Sequence, residues 1–95
     1  MLGIVATVKI KEGAHAHFEA LAEELVALSR NEPGCAGYTL WRTQDELTYA
    51  FVEYYKEPSD LDAHIASEHY RDLGRRLREF MSGPPQFTRL LPPSS

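Results

Sequence analysis

Apolar and polar residues alternate over residues 2–11. Ile4, Ala6, Val8 and Ile10 fall on one side, and Val5, Thr7 and Lys9 on the other. A period of two predicts a strand whose even-numbered side faces a core. After the Glu12-Gly13 turn the period lengthens. Phe18, Leu21, Ala22, Leu25 and Leu28 recur at helical spacing within residues 14–30, while Glu19, Glu23 and Glu24 mark the wet side. Asn31-Glu32-Pro33-Gly34 stops this helix, because proline cannot continue the hydrogen-bond ladder and glycine can supply a positive-φ turn.

Residues 35–43 and 47–56 read as two strands joined through Gln44-Asp45-Glu46 as a hairpin. A short helical piece starts at Pro58-Ser59, with Ser59 as its N-cap and Asp62 completing a capping-box-like arrangement. A further helix is expected over residues 68–81, capped by Ser67 and presenting Tyr70, Leu73, Leu77 and Phe80 to a core. Ser82-Gly83-Pro84-Pro85 ends it, and residues 86–91 form a last strand. Residues 1–91 are therefore expected to be one domain, followed by a disordered tail at 92–95.

The order β-α-β-β-α-β predicts an α+β, ferredoxin-like fold with a four-stranded antiparallel sheet and both helical segments on one side. The opposite side, carrying Val5, Thr7 and Lys9, is too apolar on average to remain wholly wet. Two such sheets facing each other would make a homodimer, a dimeric α+β barrel. Size points the same way: a 95-residue chain builds only a thin core.

Charge and composition narrow the partners. A net charge of −4 and a pI near 5.5 argue against nucleic acid or an anionic membrane surface. The single cysteine, Cys35, cannot form an intramolecular disulfide, the N-terminus lacks a signal-peptide pattern, and no apolar run approaches the roughly 20 residues of a membrane span. A cytoplasmic protein is expected.

Candidate chemistry concentrates between Tyr49 and Tyr70. Tyr38, Trp41, Tyr49, Phe51, Tyr54, Tyr55 and Tyr70 are either packing residues or the lining of a pocket for a planar aromatic ligand. Glu53 interrupts an apolar strand, so facing inward it must be paired or protonated. His64, on the short helix folding back over that strand, is its nearest candidate partner. Such a pair either stitches helix to sheet or fixes the imidazole as a base. His69 stands in the first turn of the last helix, where the helix dipole favours a neutral ring able to donate a hydrogen bond. His15 and His17 look solvated. The histidine spacings, with no carboxylate at ligand spacing, make a weak case for metal. No glycine-rich phosphate loop follows a strand, and nothing obvious activates Cys35.

Three segments carry a family resemblance: Glu32-Pro33-Gly34-Cys35-Ala36-Gly37-Tyr38, Glu53-Tyr54-Tyr55, and the run from Leu61 to Tyr70 with His64, Ser67 and His69. Together they resemble the antibiotic biosynthesis monooxygenase domain over nearly the whole chain. The resemblance implies a dimeric α+β barrel that uses dioxygen on phenols or quinols without flavin, haem or metal, in a pocket between sheet and helices. In the haem-degrading branch, an asparagine, a tryptophan and a haem-ligating histidine stand where this chain has Ala6, His64 and Gly74, so haem degradation is disfavoured. Tyr54-Tyr55-Lys56 and the run from Phe80 to Pro84 are similar to a branch that isomerises a phosphorylated autoinducer-2 signal.

The resulting expectation is a monooxygenase acting on a small aromatic quinol or phenol. His64, oriented by Glu53, would be the base. His69 and Tyr55 would hold the developing oxyanion, and Tyr49, Phe51, Trp41 and Tyr70 would shape the slot. The alternatives are the isomerase, with Arg71, Arg75 and Lys56 near the mouth, and a dimer that binds a ligand without turning it over.

Overall fold

A computed structural model describes residues 1–94, so the last residue of the expected tail lies outside the described residues. The elements run β1 (Leu2–Lys9), α1 (His15–Arg30), β2 (Cys35–Arg42), β3 (Thr48–Tyr55), α2 (Pro58–Ala66), α3 (Glu68–Leu77), a 3₁₀ turn (Arg78–Phe80) and β4 (Gln86–Leu90). All sheet neighbours are antiparallel, in the order β2-β3-β1-β4. This is the ferredoxin-like arrangement that the pattern predicts, with the second helical segment split at Ser67 into α2 and α3.

Alternation decides which side chains reach the core. Leu2, Ile4, Ala6 and Val8 of β1 are buried against the helices, as are Tyr49, Phe51, Glu53 and Tyr55 of β3. The stripe of α1 that meets them is Phe18, Ala22, Leu25, Val26 and Ser29. Leu28, expected in that stripe, is 41% exposed, because the buried line drifts to Ser29 as 3.6 residues per turn accumulate. Leu73 and Leu77 of α3 are fully buried, whereas Tyr70 and Phe80 are half-buried. His17 is exposed and stacks on Phe80; His15 is half-buried, with Nε2 2.9 Å from the Glu46 carbonyl oxygen.

Two local expectations need correction. Helix α2 is capped by Glu57, not Ser59: the Glu57 backbone N–H donates to Asp60 Oδ2 at 2.9 Å, with Pro58 in the first turn. The positive φ falls on Gly13, at +79°, and not on Gly34. Gly34 is needed for close approach instead. A methyl group there would overlap the Asp60 carboxyl, so the first turn of α2 can sit directly on the loop that follows α1. Lys56 N–H also donates to the Gly34 carbonyl at 3.0 Å, tying that loop to the end of β3. No described helix is long and apolar enough to cross a membrane.

Candidate active site

Antiparallel register places Tyr38 opposite Glu53, Glu53 opposite Ile4, and Ile4 opposite Arg89, so one row across the sheet carries three polar side chains towards the helices. His64 of α2 descends onto this row with its ring 1% exposed, between Tyr38, Tyr55 and Tyr70. From the loop after α1, held down by the Gly34–Asp60 contact, comes Glu32. The first turn of α3 brings His69. Ser67 joins the two helices: its hydroxyl donates to the His64 carbonyl at 2.6 Å and accepts the Tyr70 N–H at 3.2 Å.

Glu32 is the hub. Its Oε2 lies 2.7 Å from His64 Nδ1 and 2.5 Å from His69 Nε2. A carboxylate has no proton to give, so both imidazoles must donate to it. Neutral His64 therefore carries its hydrogen on Nδ1 and presents a lone pair at Nε2. That nitrogen faces the sheet, 4.0 Å from Glu53 Oε1 and 3.5 Å from the Tyr38 hydroxyl, too far for strong hydrogen bonds. Glu53 accepts instead from the Tyr55 hydroxyl at 2.6 Å.

Burial dominates the electrostatics. It pushes the Glu53 carboxyl from an ordinary 4.5 up to about 7; the Tyr55 hydrogen bond opposes this and the Glu32 charge adds to it. It also lowers the pKa of His64, against the pull of the Glu32 hydrogen bond and charge. The Tyr38 and Tyr55 phenols are raised well above the tyrosine range, first by burial and then by the Glu53 charge. Burial raises the Cys35 thiol as well, so no reactive thiolate stands beside the site.

A cavity of about 720 Å³ lies between the sheet and α3, over Ala6, Phe18, Tyr38, Phe51 and Glu53. A smaller one of about 300 Å³ reaches His64 and shares Glu53, Ile65, Tyr70 and Phe87 with the first. Together they form two lobes of one space, mostly apolar, with Glu53 at the junction and the His64 imidazole in the smaller lobe.

Known proteins place this geometry. A profile of the antibiotic biosynthesis monooxygenase domain matches residues 1–76. The chain belongs to the antibiotic biosynthesis monooxygenase family. Among curated relatives, "Putative monooxygenase Rv0793" of Mycobacterium tuberculosis is 26% identical over 91 residues, 96% of this chain and 90% of that protein. Its solved structure superposes with a TM-score of 0.89, covering 96% and 93% of the two chains. The crystal structure of a "putative antibiotic biosynthesis monooxygenase" from Caulobacter crescentus CB15 is 32% identical, with a TM-score of 0.88 and coverage of 94% and 86%. The uncharacterised protein sll1783 of Synechocystis is 23% identical over 82 residues, which is 85% of this chain but 56% of that longer protein.

For this family member the expected site residues separate into two groups. Glu53, His64, Phe51 and Tyr70 line the two-lobed space. The other expected residues are engaged elsewhere. Tyr55 is fully buried and spends its hydroxyl on Glu53, so it has none left for a substrate oxyanion. Tyr49 is a core residue at the far end of β3, packed on Phe18 and bonded to Glu19. Trp41 pairs with Ala50 on the opposite side of the sheet, 60% exposed, and its indole N–H donates to Thr39. His69 donates to Glu32 and so supports His64. The carboxylate that orients His64 is Glu32, not Glu53. Glu32 was missed, and its only signal was its place in the first resembling segment; Tyr38 already stood among the aromatics weighed as pocket lining, without a polar role.

Folding also creates a cluster absent from the sequence spacing. Ligand atoms of Glu32, His64 and His69 lie within 4.8 Å of one another and could face a metal ion. As the cluster stands, its two oxygen–nitrogen contacts are 2.7 and 2.5 Å. Those are charge-assisted hydrogen bonds.

Proposed function

We propose that this protein oxidises a small aromatic quinol or phenol with dioxygen, using no flavin, haem or metal. One observation carries the reading: a buried imidazole is locked by Glu32 so that its basic nitrogen points away from solvent towards Glu53 and an apolar cavity. His64 Nε2 takes the phenol proton, and the phenolate surrenders an electron to dioxygen far more readily than the phenol does. A ring carbon then gains a C–O bond, and the O–O bond breaks. The second oxygen leaves as water with two hydrogens from the substrate, so a quinol and dioxygen become a hydroxyquinone and water. Glu53, near neutrality in its pKa, is suited to exchange a proton with the leaving oxygen. Tyr38, with its hydroxyl 3.5 Å from His64 Nε2, is the available hydroxyl donor.

The test is oxygen uptake against a quinol panel, with His64→Ala and an anaerobic control. Loss of about 10²–10⁴-fold in turnover is expected for the variant. Unchanged turnover in His64→Ala, or product without oxygen, overturns the reading. The second outcome would favour the isomerase of a phosphorylated signal, which draws support from Arg71 and Arg75 along the cavity, although Lys56 does not line it.

The reading includes a cytoplasmic homodimer. Exposed Trp41, Tyr54 and Leu90 accompany Val5, Val52 and Thr88 on the sheet side without helices, and pairing two such sides would bury them. Sedimentation equilibrium should return twice the 10.8 kDa chain mass.

A further inference from the structure

The floor and rim of the large cavity differ in kind. Ala6, Val8, Phe18, Leu25 and Phe51 make an apolar floor. Along α3 and at the start of the 3₁₀ turn, Arg71, Arg75 and Arg78 line the same space at helical intervals, and all three are exposed. This basic stripe stands out in a chain of net charge −4. Among the described residues the only carboxyl side chain lining the cavity is that of Glu53, which is buried below the rim.

The guanidiniums are incompletely used. Arg75 is paired with Asp72 at 2.6 Å, and Asp72 also lies 3.6 Å from Arg76. Arg78 gives its Nε hydrogen to the Gly74 carbonyl at 3.3 Å and lines the cavity together with Tyr70. No ion pair of Arg71 or Arg78 occurs among the described residues. Gly74 lies within this stripe. A methyl group there would meet nothing within 4 Å, so packing does not demand glycine, although glycine costs a helix about 1 kcal/mol relative to alanine. What the missing side chain leaves is open space between the arginines.

We propose that this rim recognises an anionic group, carboxylate or phosphate, on the aromatic substrate, with Gly74 providing the gap through which the ring enters. The proposal rests on the function proposed above for its aromatic ligand and makes the substrate class an aromatic acid, not a neutral quinol. Planar guanidinium groups match a carboxylate or phosphate with paired N–H donors, and the apolar floor accepts the ring.

Binding of unreactive probes tests the rim without requiring oxidation. Calorimetry on the intact protein should show 2-naphthoate or 2-naphthyl phosphate binding at least about tenfold more tightly than neutral 2-naphthamide. Preference for the phosphate over the carboxylate would support the rim and identify a phosphorylated ligand. Arg71→Glu with Arg78→Glu should abolish the preference and leave 2-naphthamide binding unchanged. Gly74→Leu, which fills open space, should weaken all three probes alike. Equal affinity for acid and amide, a preference that survives the arginine changes, or binding indifferent to Gly74→Leu would each overturn the proposal. Failure of the oxidation chemistry alone would leave these binding results intact, so the two ideas fail separately.

Discussion

The two ends of β3 carry the same pair of groups and use them differently. At one end Tyr49, 1% exposed, bonds to Glu19 on the rim of α1. At the other Tyr55, 0% exposed, donates to Glu53, which is itself buried. Where the carboxylate keeps contact with water, the pair is a tether, and Tyr49 is pushed up to about 12, first by burial and then by the bond to Glu19. Where the carboxylate is buried beside an imidazole, Glu53 rises to about 7 and becomes a group that can exchange protons near neutral pH. Residue type does not separate the two ends. Solvent access and the descent of His64 onto only one of them do.

The largest effect should come from removing the hub at the active end. Glu32→Ala frees both imidazoles, and oxidation should fall by about 10²–10⁴-fold, whereas Glu19→Ala at the other end should stay within about twofold. Comparable losses in both variants would erase the distinction. The wild-type rate should also have its acid limb below the ordinary histidine value of 6.5, because burial lowers the pKa of His64 and the neutral base survives to lower pH.

Glu53 should come next, through stability. Its folded pKa is raised, so its contribution is fully present below 4.5 and is lost as pH rises through about 7. The shift corresponds to roughly 3 kcal/mol. Denaturant titrations of Glu53→Gln should lack that decline, and curves parallel to wild type between pH 4.5 and 8 would show that Glu53 does not titrate as a buried acid.

Gly34→Ala should cost about 1–3 kcal/mol, since the new methyl must displace Asp60 and the start of α2. If oxidation falls along with stability, the loop–helix contact is what seats Glu32 under His64. The smallest effect is reserved for the tether: Tyr49→Phe should lose about 0.5–1.5 kcal/mol and leave the rate unchanged. A rate defect there would mean that the two ends are coupled.

Much of this was readable along the chain. The parity of β1 places Ile4 and Val8 inside, and the same parity in β3 turns Glu53 inward with Phe51. Trp41 was also legible: it has the opposite parity to Tyr38 and Leu40 within β2, so it could not share their side of the sheet. The same parity puts Tyr55 beside Glu53, but that its hydroxyl is spent on that carboxyl was not legible, because parity fixes a side and not a side chain's partner. Gly34 invited a turn explanation, yet its reason is a contact with a residue of α2.

Period and punctuation alone determined the element order, the sheet side of each strand residue and the inward glutamate, because these follow from local backbone geometry. The identity of the carboxylate beneath His64 was decided only in three dimensions. Glu32 and His64 are 32 positions apart, on a loop and a helix that meet where Gly34 lets Asp60 settle. No periodicity spans that distance, because a contact between separate elements depends on how they dock and not on the pattern within either.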